Sequence, residues 1–292
     1  YLDKELALQS GYLEGSHDVV QLHWGGGTPT FLSHAGEVTV KVIAFNDFHG
    51  QLESPGTLRV NAATATPTYS VGGADFFAGH IARLKAQNPH SVVVSAGDLI
   101  GATPLVSALF HDEPTIEAMN LAGLEFNAVG NHEFDEGKDE LKRMQNGGCH
   151  PTDLNSCKGL EVGTDYPFAG AKFKFLAANV EESATGKTIF APYAIKSFGK
   201  TRVAFIGMTL KDTPSIVTPS GVAGLSFKDE AATVNALIPK LKARGVESVV
   251  VLVHQGGTVP TTQAADTINS CSGGLTGTPM LPIVNALDDE VD

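Results

Sequence analysis

The sequence of 292 residues is long enough for one large domain or two ordinary ones, and its 42% hydrophobic and 18% charged residues are typical of a globular protein. The formal net charge of −12 argues against a nucleic-acid-binding surface, although bound divalent cations would still let an anionic substrate approach. No apolar run reaches the roughly 18 residues of a membrane span, and no signal peptide is visible.

Residues 1–35 differ in pattern from the rest of the chain. Residues 21–32 predict a strand that enters a glycine-rich turn at residues 25–29 (Gly-Gly-Gly-Thr-Pro). Such a turn lets backbone N–H groups approach a ligand, but on its own it is more often a simple turn. This string resembles part of the radical-SAM family of oxygen-independent coproporphyrinogen III oxidase, in which a Gly-Gly-Thr-Pro turn contacts S-adenosylmethionine. The three clustered cysteines of that family are absent, so we expect a segment unrelated to the body and without radical chemistry.

From residue 37 onward, apolar strands alternate with amphipathic helices. The predicted strands cover residues 38–45, 91–96, 126–129, 172–179, 188–195, 202–208 and 248–253. The predicted helices cover residues 73–87, 114–121, 136–145, 231–243 and 280–287, and residues 54–70 and 146–167 are predicted loops. This alternation predicts an α/β fold with a largely parallel sheet.

Four of the predicted strands carry Asp, Asn or His just beyond their carboxyl ends, at the edge where open α/β sheets bind ligands. These residues are Asp47, His49, Asp98, Asn131 and His254. Each is weak evidence alone, because an Asp-x-His pair is more often a solvated strand end and a single histidine is more often a core residue. Four such endings together favour a shared site that binds two metal ions.

The residue types fit that chemistry. Asp47 and His49 are two apart, so on an extended chain they point to the same face, and Asp98 could bridge two cations. The sequence offers no cysteine cluster of the kind that holds structural zinc. His132 follows a candidate ligand but should face another direction on the turn, where it is free to act as an acid, and Asp135 can orient its ring.

The cysteines give a further expectation. Cys149 and Cys157 flank a short polar loop, where a disulfide would imply an oxidising compartment; the alternative is two free surface thiols. Cys271 is either free or paired with a group outside this chain.

Four blocks of the sequence resemble the successive motifs of the calcineurin-like metallophosphoesterases. They are residues 46–50 (Asn-Asp-Phe-His-Gly), 97–98 (Gly-Asp), 130–135 (Gly-Asn-His-Glu-Phe-Asp) and 254–256 (His-Gln-Gly). They are most similar to the 5′-nucleotidase branch, which includes UDP-sugar hydrolases and 2′,3′-cyclic-nucleotide phosphodiesterases. The resemblance spans about residues 38–292 and implies a four-layer α/β/β/α sandwich, with the catalytic domain over residues 36–292.

The resemblance also implies roles. Asp47 and His49 would hold one metal, Asp98 would bridge, and Asn131 with His254 would hold the other. His132 and Asp135 would be the catalytic pair. A hydroxide held between two cations (Zn, Mn, Co, Fe or Mg) would attack the phosphate of a nucleotide or another small phosphate ester. Members of the family are expected in the periplasm or outside the cell.

The sequence departs from the family pattern at its carboxyl end. The family's final metal block, of the Gly-His-Thr-His or Gly-His-Thr-Gln type, and its C-terminal substrate-binding domain are not found here. We therefore expect an incomplete sandwich in which each metal lacks one ligand and activity is weak or lost. A non-catalytic metal-binding fragment is the alternative function, and the oligomeric state stays open.

Overall fold

The computed structural model describes residues 27–33, 38–59, 68–158, 167–257 and 278–292. The strands in chain order are β1 (Gly27–Ser33), β2 (Thr39–Phe45), β3 (Gly56–Arg59), β4 (Thr68–Val71), β5 (Ser91–Ser95), β6 (Phe126–Ala128), β7 (Lys174–Leu176), β8 (Val180–Glu182), β9 (Tyr193–Phe198), β10 (Thr201–Met208), β11 (Leu225–Phe227) and β12 (Ser248–Val253). The α-helices are α1 (Ala74–Ala86), α2 (Leu105–Ala108), α3 (Glu113–Ala122), α4 (Lys138–Asn146), α5 (Glu230–Ala243) and α6 (Met280–Ala286).

Two main sheets organise the described chain. The larger has the strand order β1-β2-β5-β6-β7, with β1 antiparallel to β2 and the other neighbours parallel. The smaller has the order β12-β10-β9, with β12 parallel and β9 antiparallel to β10. The largely parallel sheet predicted from the sequence is thus present.

The two sheets pack face to face. Val42 and Val94 of the larger sheet share one buried cluster with Phe205 and Leu252 of the smaller, and the rings of Phe126 and Phe205 stack at 5.1 Å. Because successive side chains on a strand point to opposite faces, strands buried on both sides have apolar residues at nearly every position. That is why these strands appear in the sequence as continuous apolar runs.

Helices cover the outer face of each sheet. Ile81 of α1 and Ile116 of α3 pack with Val93 behind the larger sheet. Val234 of α5 packs with Ile206 behind the smaller. The layers therefore run helix, sheet, sheet, helix, and the predicted α/β/β/α sandwich is confirmed.

Local signals account for several helix boundaries. The Asp229 side chain accepts the N–H of Ala232 at 3.0 Å and caps α5. Helix α3 has Pro114 in its first turn and ends before Gly123, whose φ of 81° stops the helical hydrogen bonding. These boundaries agree with the predictions to within one or two residues.

Some local predictions were wrong. The predicted loop over residues 54–70 contains the antiparallel hairpin of β3 and β4. The strand predicted at 188–195 instead begins at Tyr193, because Pro192 has no N–H to donate to a ladder. The short strands β8 and β11, which pair with each other, were not predicted.

The N-terminal prediction is answered in part. Residues 1–26 lie outside the described residues, and so do Gly25 and Gly26 of the predicted turn. Gly27, Thr28 and Pro29 belong to β1, which pairs with β2 at Gly27↔Phe45 and onward, so the predicted turn is wrong at these positions. Strand β2 provides backbone hydrogen-bond partners for this segment, and the sequence of the segment alone does not indicate that pairing. The division of the chain at residue 35 stays a prediction.

Candidate active site

The carboxyl ends of strands β2, β5, β6 and β12 meet at one edge of the sandwich. Three strands come from the larger sheet and the fourth, β12, comes from the smaller. The loops after β2 and β5 run side by side, since Asp47 N–H donates to Gly97 O and His49 N–H donates to Asp98 O, each at 3.0 Å. The predicted convergence of strand ends is present.

Asp98 lies at the centre of this edge. Its Oδ2 atom is 3.6 Å from His49 Nε2 and 3.1 Å from His254 Nε2, and the residue is only 3% exposed. Asp47 Oδ1 lies 3.8 Å from His49 Nε2. One carboxylate oxygen thus stands between two imidazole nitrogens, as a bridging ligand would.

Asn131 completes the group of predicted ligands. Its Oδ1 lies 3.1 Å from His254 Nε2. Ligand atoms of Asp47, Asp98 and His254 also lie within 4.8 Å of one another, so Asp47 faces both imidazoles rather than only His49. The structure brings all five predicted ligands together, while the division of these ligands between two metals stays a prediction.

The contacts of Nδ1 in each imidazole show whether Nε2 is oriented to bind a metal. His49 Nδ1 lies 2.8 Å from the carbonyl oxygen of Gly101, and His254 Nδ1 lies 2.8 Å from that of Ala96. A carbonyl oxygen only accepts, so each Nδ1 carries a hydrogen, and Nε2, which faces Asp98, is the nitrogen that would bind a cation after losing its own proton. Metal-binding histidines are commonly oriented in this way, and the donor set fits divalent cations.

The backbone geometry corrects one sequence argument. Asp47, His49 and Asp98 have φ values of 52°, 44° and 53°, which lie in the left-handed region. Asp47 and His49 do reach the same site, but they do so from a tight turn and not from an extended chain with alternating side chains. Left-handed backbone in residues with a side chain is uncommon and is concentrated at functional sites.

The close approach of the strand ends requires glycine. A Cβ atom on Gly130 would lie 2.2 Å from Asp98 Oδ1 and 2.6 Å from the Asp98 nitrogen. A Cβ atom on Gly97 would lie 2.7 Å from the Gly130 nitrogen and 2.9 Å from His254 Nδ1. No larger residue fits at either position without moving a candidate ligand.

His132 sits beside the candidate metal ligands. Its Nδ1 lies 2.8 Å from Asp135 Oδ2, as predicted, and its N–H donates to Asp98 Oδ1 at 3.0 Å. Its ring lies edge-on to that of His49, with centroids 5.0 Å apart, and one of its nitrogens is within 4.8 Å of ligand atoms on His49 and Asp98. The expectation that His132 faces away from the ligands is therefore wrong, because the turn over His132–Phe134 folds back towards β5.

The sequence analysis missed Glu133. This carboxylate is 3% exposed and accepts the N–H groups of Asp98, Leu99 and Gly130 at 2.7 to 2.9 Å. Burial, with the charge of Asp98, raises its pKa above the ordinary value. Its place two positions after a candidate ligand, beside His132, was the signal that could have found it.

The pKa values of the two site histidines indicate that a bound cation would displace protons. The Asp47 carboxylate raises the pKa of His49 to about 9. Burial alone would lower the pKa of His254, but Asp98 and Glu133 outweigh it and hold that pKa above the ordinary value. Protons on two imidazoles therefore balance the acidic groups, and a bound divalent cation would displace them.

A cavity of about 190 Å³ opens beside His132. Its walls include Thr103, His111, Asp135 and Glu136. His111 Nδ1 lies 2.7 Å from Glu136 Oε2, and its Nε2 lies 3.0 Å from Asp153 Oδ2. These acidic partners outweigh burial and raise the pKa of His111, and the imidazole links the loop after Asp135 to the cysteine loop.

A second group of metal-ligand types, His111, Glu136 and Glu140, lies along this cavity. Glu140 is held by Arg143, whose Nε lies 2.9 and 3.0 Å from the two carboxylate oxygens. Because that carboxylate is already paired with a guanidinium, it is a poor cation ligand.

The cysteine loop is closed by a disulfide. Cys149 and Cys157 are bonded, with Cα atoms 5.3 Å apart, so the expected pairing is present and the free-thiol alternative is wrong. Cys271 lies outside the described residues. No helix in the described ranges has the length and apolar character needed to cross a bilayer.

Comparison with known proteins places the site in a family. No protein-family model matches the chain. An uncharacterised protein from the pqq-V 5′ region of Acinetobacter calcoaceticus is 52% identical over 166 residues, which cover 55% of this chain and 79% of that protein. A 5′-nucleotidase precursor from Thermus thermophilus has a TM-score of 0.58 and 28% identity, over 74% of this chain and 37% of that one. Further relatives from bacteria and from Bos taurus are named 5′-nucleotidases.

The chain belongs to the calcineurin-like metallophosphoesterases, in their 5′-nucleotidase branch. The calcineurin-like phosphoesterase YfkN from Bacillus subtilis shares the fold, with a TM-score of 0.60 at 22% identity over 87% of this chain and 70% of that one. Endonuclease YhcR, also from Bacillus subtilis, is 36% identical over 236 residues, or 80% of this chain. The chain spans only 18% of YhcR, and about a third of several of the named 5′-nucleotidases. Proteins of this family are hydrolases that act on phosphoester bonds.

Proposed function

We propose that the chain is the catalytic part of a metal-dependent phosphomonoester hydrolase of the 5′-nucleotidase type, with two divalent cations in its site. The observation that carries the proposal is the position of Asp98 Oδ2 between His49 Nε2 and His254 Nε2, at 3.6 and 3.1 Å. A single carboxylate oxygen flanked by two imidazole nitrogens is suited to bridging two cations, each of which would displace a proton from one imidazole.

Asp47, His49, Asp98, Asn131 and His254 would hold the two cations. Mixed carboxylate, amide and imidazole donors accept Zn, Mn, Co, Fe or Mg. When bound, such a pair supplies Lewis acidity at the phosphoryl oxygens and lowers the pKa of a water molecule to near neutrality.

His132 supplies the proton chemistry. Asp135 accepts the Nδ1 hydrogen at 2.8 Å, which fixes the ring and leaves Nε2 for the substrate. The side chain of His132 is 34% exposed, so a phosphate ester bound at the strand ends can reach it. Protonated, it would donate to the leaving oxygen or to a phosphoryl oxygen, and the Asp135 carboxylate would stabilise the resulting charge.

We infer a nucleotide as substrate from the named 5′-nucleotidases among the relatives. A nucleotide sugar or a 2′,3′-cyclic nucleotide would meet the same phosphate-binding groups. A polynucleotide is a further test substrate, since YhcR is named an endonuclease. The disulfide between Cys149 and Cys157 supports a periplasmic or extracellular location, because such bonds persist in oxidising compartments.

The test is phosphate release by the chain after treatment with a chelator and addition of Mn²⁺, Co²⁺, Zn²⁺ or Mg²⁺. The substrates are AMP, UDP-glucose, 2′,3′-cyclic AMP, an aryl phosphate and single-stranded DNA, with metal binding measured by calorimetry in parallel. We expect weak but metal-dependent hydrolysis of AMP and the aryl phosphate.

The matched variants are Asp98→Asn and Asp139→Asn, since Asp139 is exposed on α4 and makes the same change away from the site. We expect Asp98→Asn to abolish both metal binding and turnover, and Asp139→Asn to preserve them. Binding of metal without turnover of any substrate would support the non-catalytic alternative. Equal activity in the two variants would overturn the assignment of Asp98.

A further inference from the structure

Glu133 joins two of the strand ends that carry candidate ligands. Its Oε2 accepts the N–H of Asp98 at 2.9 Å and the N–H of Gly130 at 2.7 Å, while Oε1 accepts the N–H of Leu99 at 2.9 Å. Asp98 and Leu99 follow β5, and Gly130 follows β6. One buried carboxylate therefore ties two loops together through three charge-assisted hydrogen bonds.

These hydrogen bonds hold the backbone of Asp98 in a conformation that is unfavourable without them. Asp98 has a φ of 53°, which is unfavourable for a residue with a side chain, and Glu133 accepts both its N–H and the next one. In return, His132 N–H donates to Asp98 Oδ1 at 3.0 Å. The left-handed turn, and with it the direction of the Asp98 side chain, is held from both sides.

The result is a fixed relation between two candidate ligands. We call Glu133 and its three backbone hydrogen bonds the clamp. Asp98 is bound at one end of it, and Asn131 follows Gly130, which is bound at the other. Gly130 packs so tightly against Asp98 that an added Cβ would lie 2.2 Å from Oδ1, so the two loops have no room to slide. The clamp lets Asp98 Oδ2 and Asn131 Oδ1 approach the same nitrogen, His254 Nε2, each at 3.1 Å.

We propose that Glu133 is a positioning residue that sets the separation of Asp98 and Asn131 before any metal binds. This inference rests on the proposed function, because it takes Asp98 and Asn131 as ligands. Glu133 is not itself expected to bind metal, since both of its oxygens already accept backbone N–H groups. It acts through the backbone, as groups behind metal ligands commonly do.

A purely structural role would look different. Glu113 is a comparable buried carboxylate, 5% exposed, which accepts the N–H of Cys157 at 2.8 Å and pairs with Arg143 at 2.6 Å. It lies on α3 and contacts the cysteine loop, not the strand ends. Removing its charge should lower stability without changing the candidate ligands, which makes Glu113→Gln the matched control.

The experiment compares Glu133→Gln, Glu133→Asp and Glu113→Gln with the unchanged chain. Mn²⁺ affinity is measured by calorimetry on chelator-treated protein, and hydrogen exchange is followed at the amides of Asp98, Leu99 and Gly130. In Glu133→Gln an amide NH₂ group faces backbone N–H groups, and in Glu133→Asp the carboxylate is too short to reach both loops. We expect a loss of about 10- to 100-fold in Mn²⁺ affinity in both variants, with faster exchange at the three amides.

Each outcome has a meaning. Glu113→Gln should lower the melting temperature and leave Mn²⁺ affinity and the three amides unchanged. If the two Glu133 variants fold and bind Mn²⁺ as the unchanged chain does, the positioning role is wrong while the proposed function stands. If the unchanged chain binds no divalent metal, both fall together. Should Glu133→Gln fail to fold, Glu133→Asp, which keeps the charge, decides the matter.

Discussion

The Nε2 atom of His254 lies 3.1 Å from Oδ2 of Asp98, although the two residues end strands that belong to different sheets. This contact joins the two halves of the sandwich at the edge where ligands would bind. It depends on the packing of β10 and β12 against β2 and β5, whose apolar faces form one buried cluster. The site is therefore a product of sheet-on-sheet packing as much as of local motifs.

Replacing His132 or Asp135 with Asn should lower kcat without removing metal. Neither residue is among the proposed ligands, and general acid catalysis of this kind contributes about 100- to 10,000-fold. Because Asp135 acts by orienting His132, the double variant should be little worse than His132→Asn alone. Steady-state kinetics with an aryl phosphate, alongside Mn²⁺ calorimetry, would check this. Additive losses, or loss of metal in His132→Asn, would show that the pair does not work as described.

Metal-free protein should become less stable as the pH rises through the range of His49. Asp47 raises the pKa of His49 to about 9 from its ordinary value of 6.5, so folding favours the protonated imidazole. The stabilisation is fully present below about pH 6.5 and is lost as the pH rises through about 9. The apparent Mn²⁺ affinity should rise over the same window, because metal binding displaces the proton.

Urea unfolding of chelator-treated protein between about pH 6 and 10 would measure this change. In His49→Asn the pH dependence should be weaker, since one of the two site imidazoles with a raised pKa is gone. A stability profile of the unchanged chain that is flat over this range, or that rises, would contradict the assignment.

Reducing the disulfide should destabilise the protein without removing the active site. The bond closes a loop with a sequence separation of 8, and the chain-entropy relation assigns such a loop about 2 to 3 kcal/mol. The double variant Cys149→Ser with Cys157→Ser should show the same loss in urea unfolding and should no longer respond to a reductant. Loss of Mn²⁺ binding on reduction would mean that the cysteine loop controls the ligands, which we do not expect.

Gly130→Ala should damage both the fold and the site. Its Cβ would lie 2.6 Å from the Asp98 nitrogen, and overpacking of this kind costs about 1 to 3 kcal/mol. Gly79→Ala is the matched control, because Gly79 lies within helix α1 and an added Cβ meets nothing within 4 Å. That change should stabilise the protein by about 0.5 to 1 kcal/mol. Thermal unfolding and Mn²⁺ calorimetry of both variants would test the contrast.

Most of the strands and helices, and the residues that carry chemistry, could be predicted from local patterns. Apolar runs ending in Asp47, Asp98, Asn131 and His254 predicted the strands and the positions of the polar ends, because strand periodicity and burial leave a direct trace in composition. The pairing of His132 with Asp135 could also be predicted, since the two lie three residues apart in one turn. Such signals are local and do not depend on where the chain goes next.

Which groups meet, and in what geometry, depends on how the sheets pack. The position of Asp98 between His49 and His254 depends on two sheets packing in a particular order, and no local pattern encodes that order. The left-handed turns and the clamp formed by Glu133 could not be predicted from the sequence for the same reason. A buried carboxylate is stable only with donors that come from elsewhere in the chain, and the fold alone brings those donors within reach.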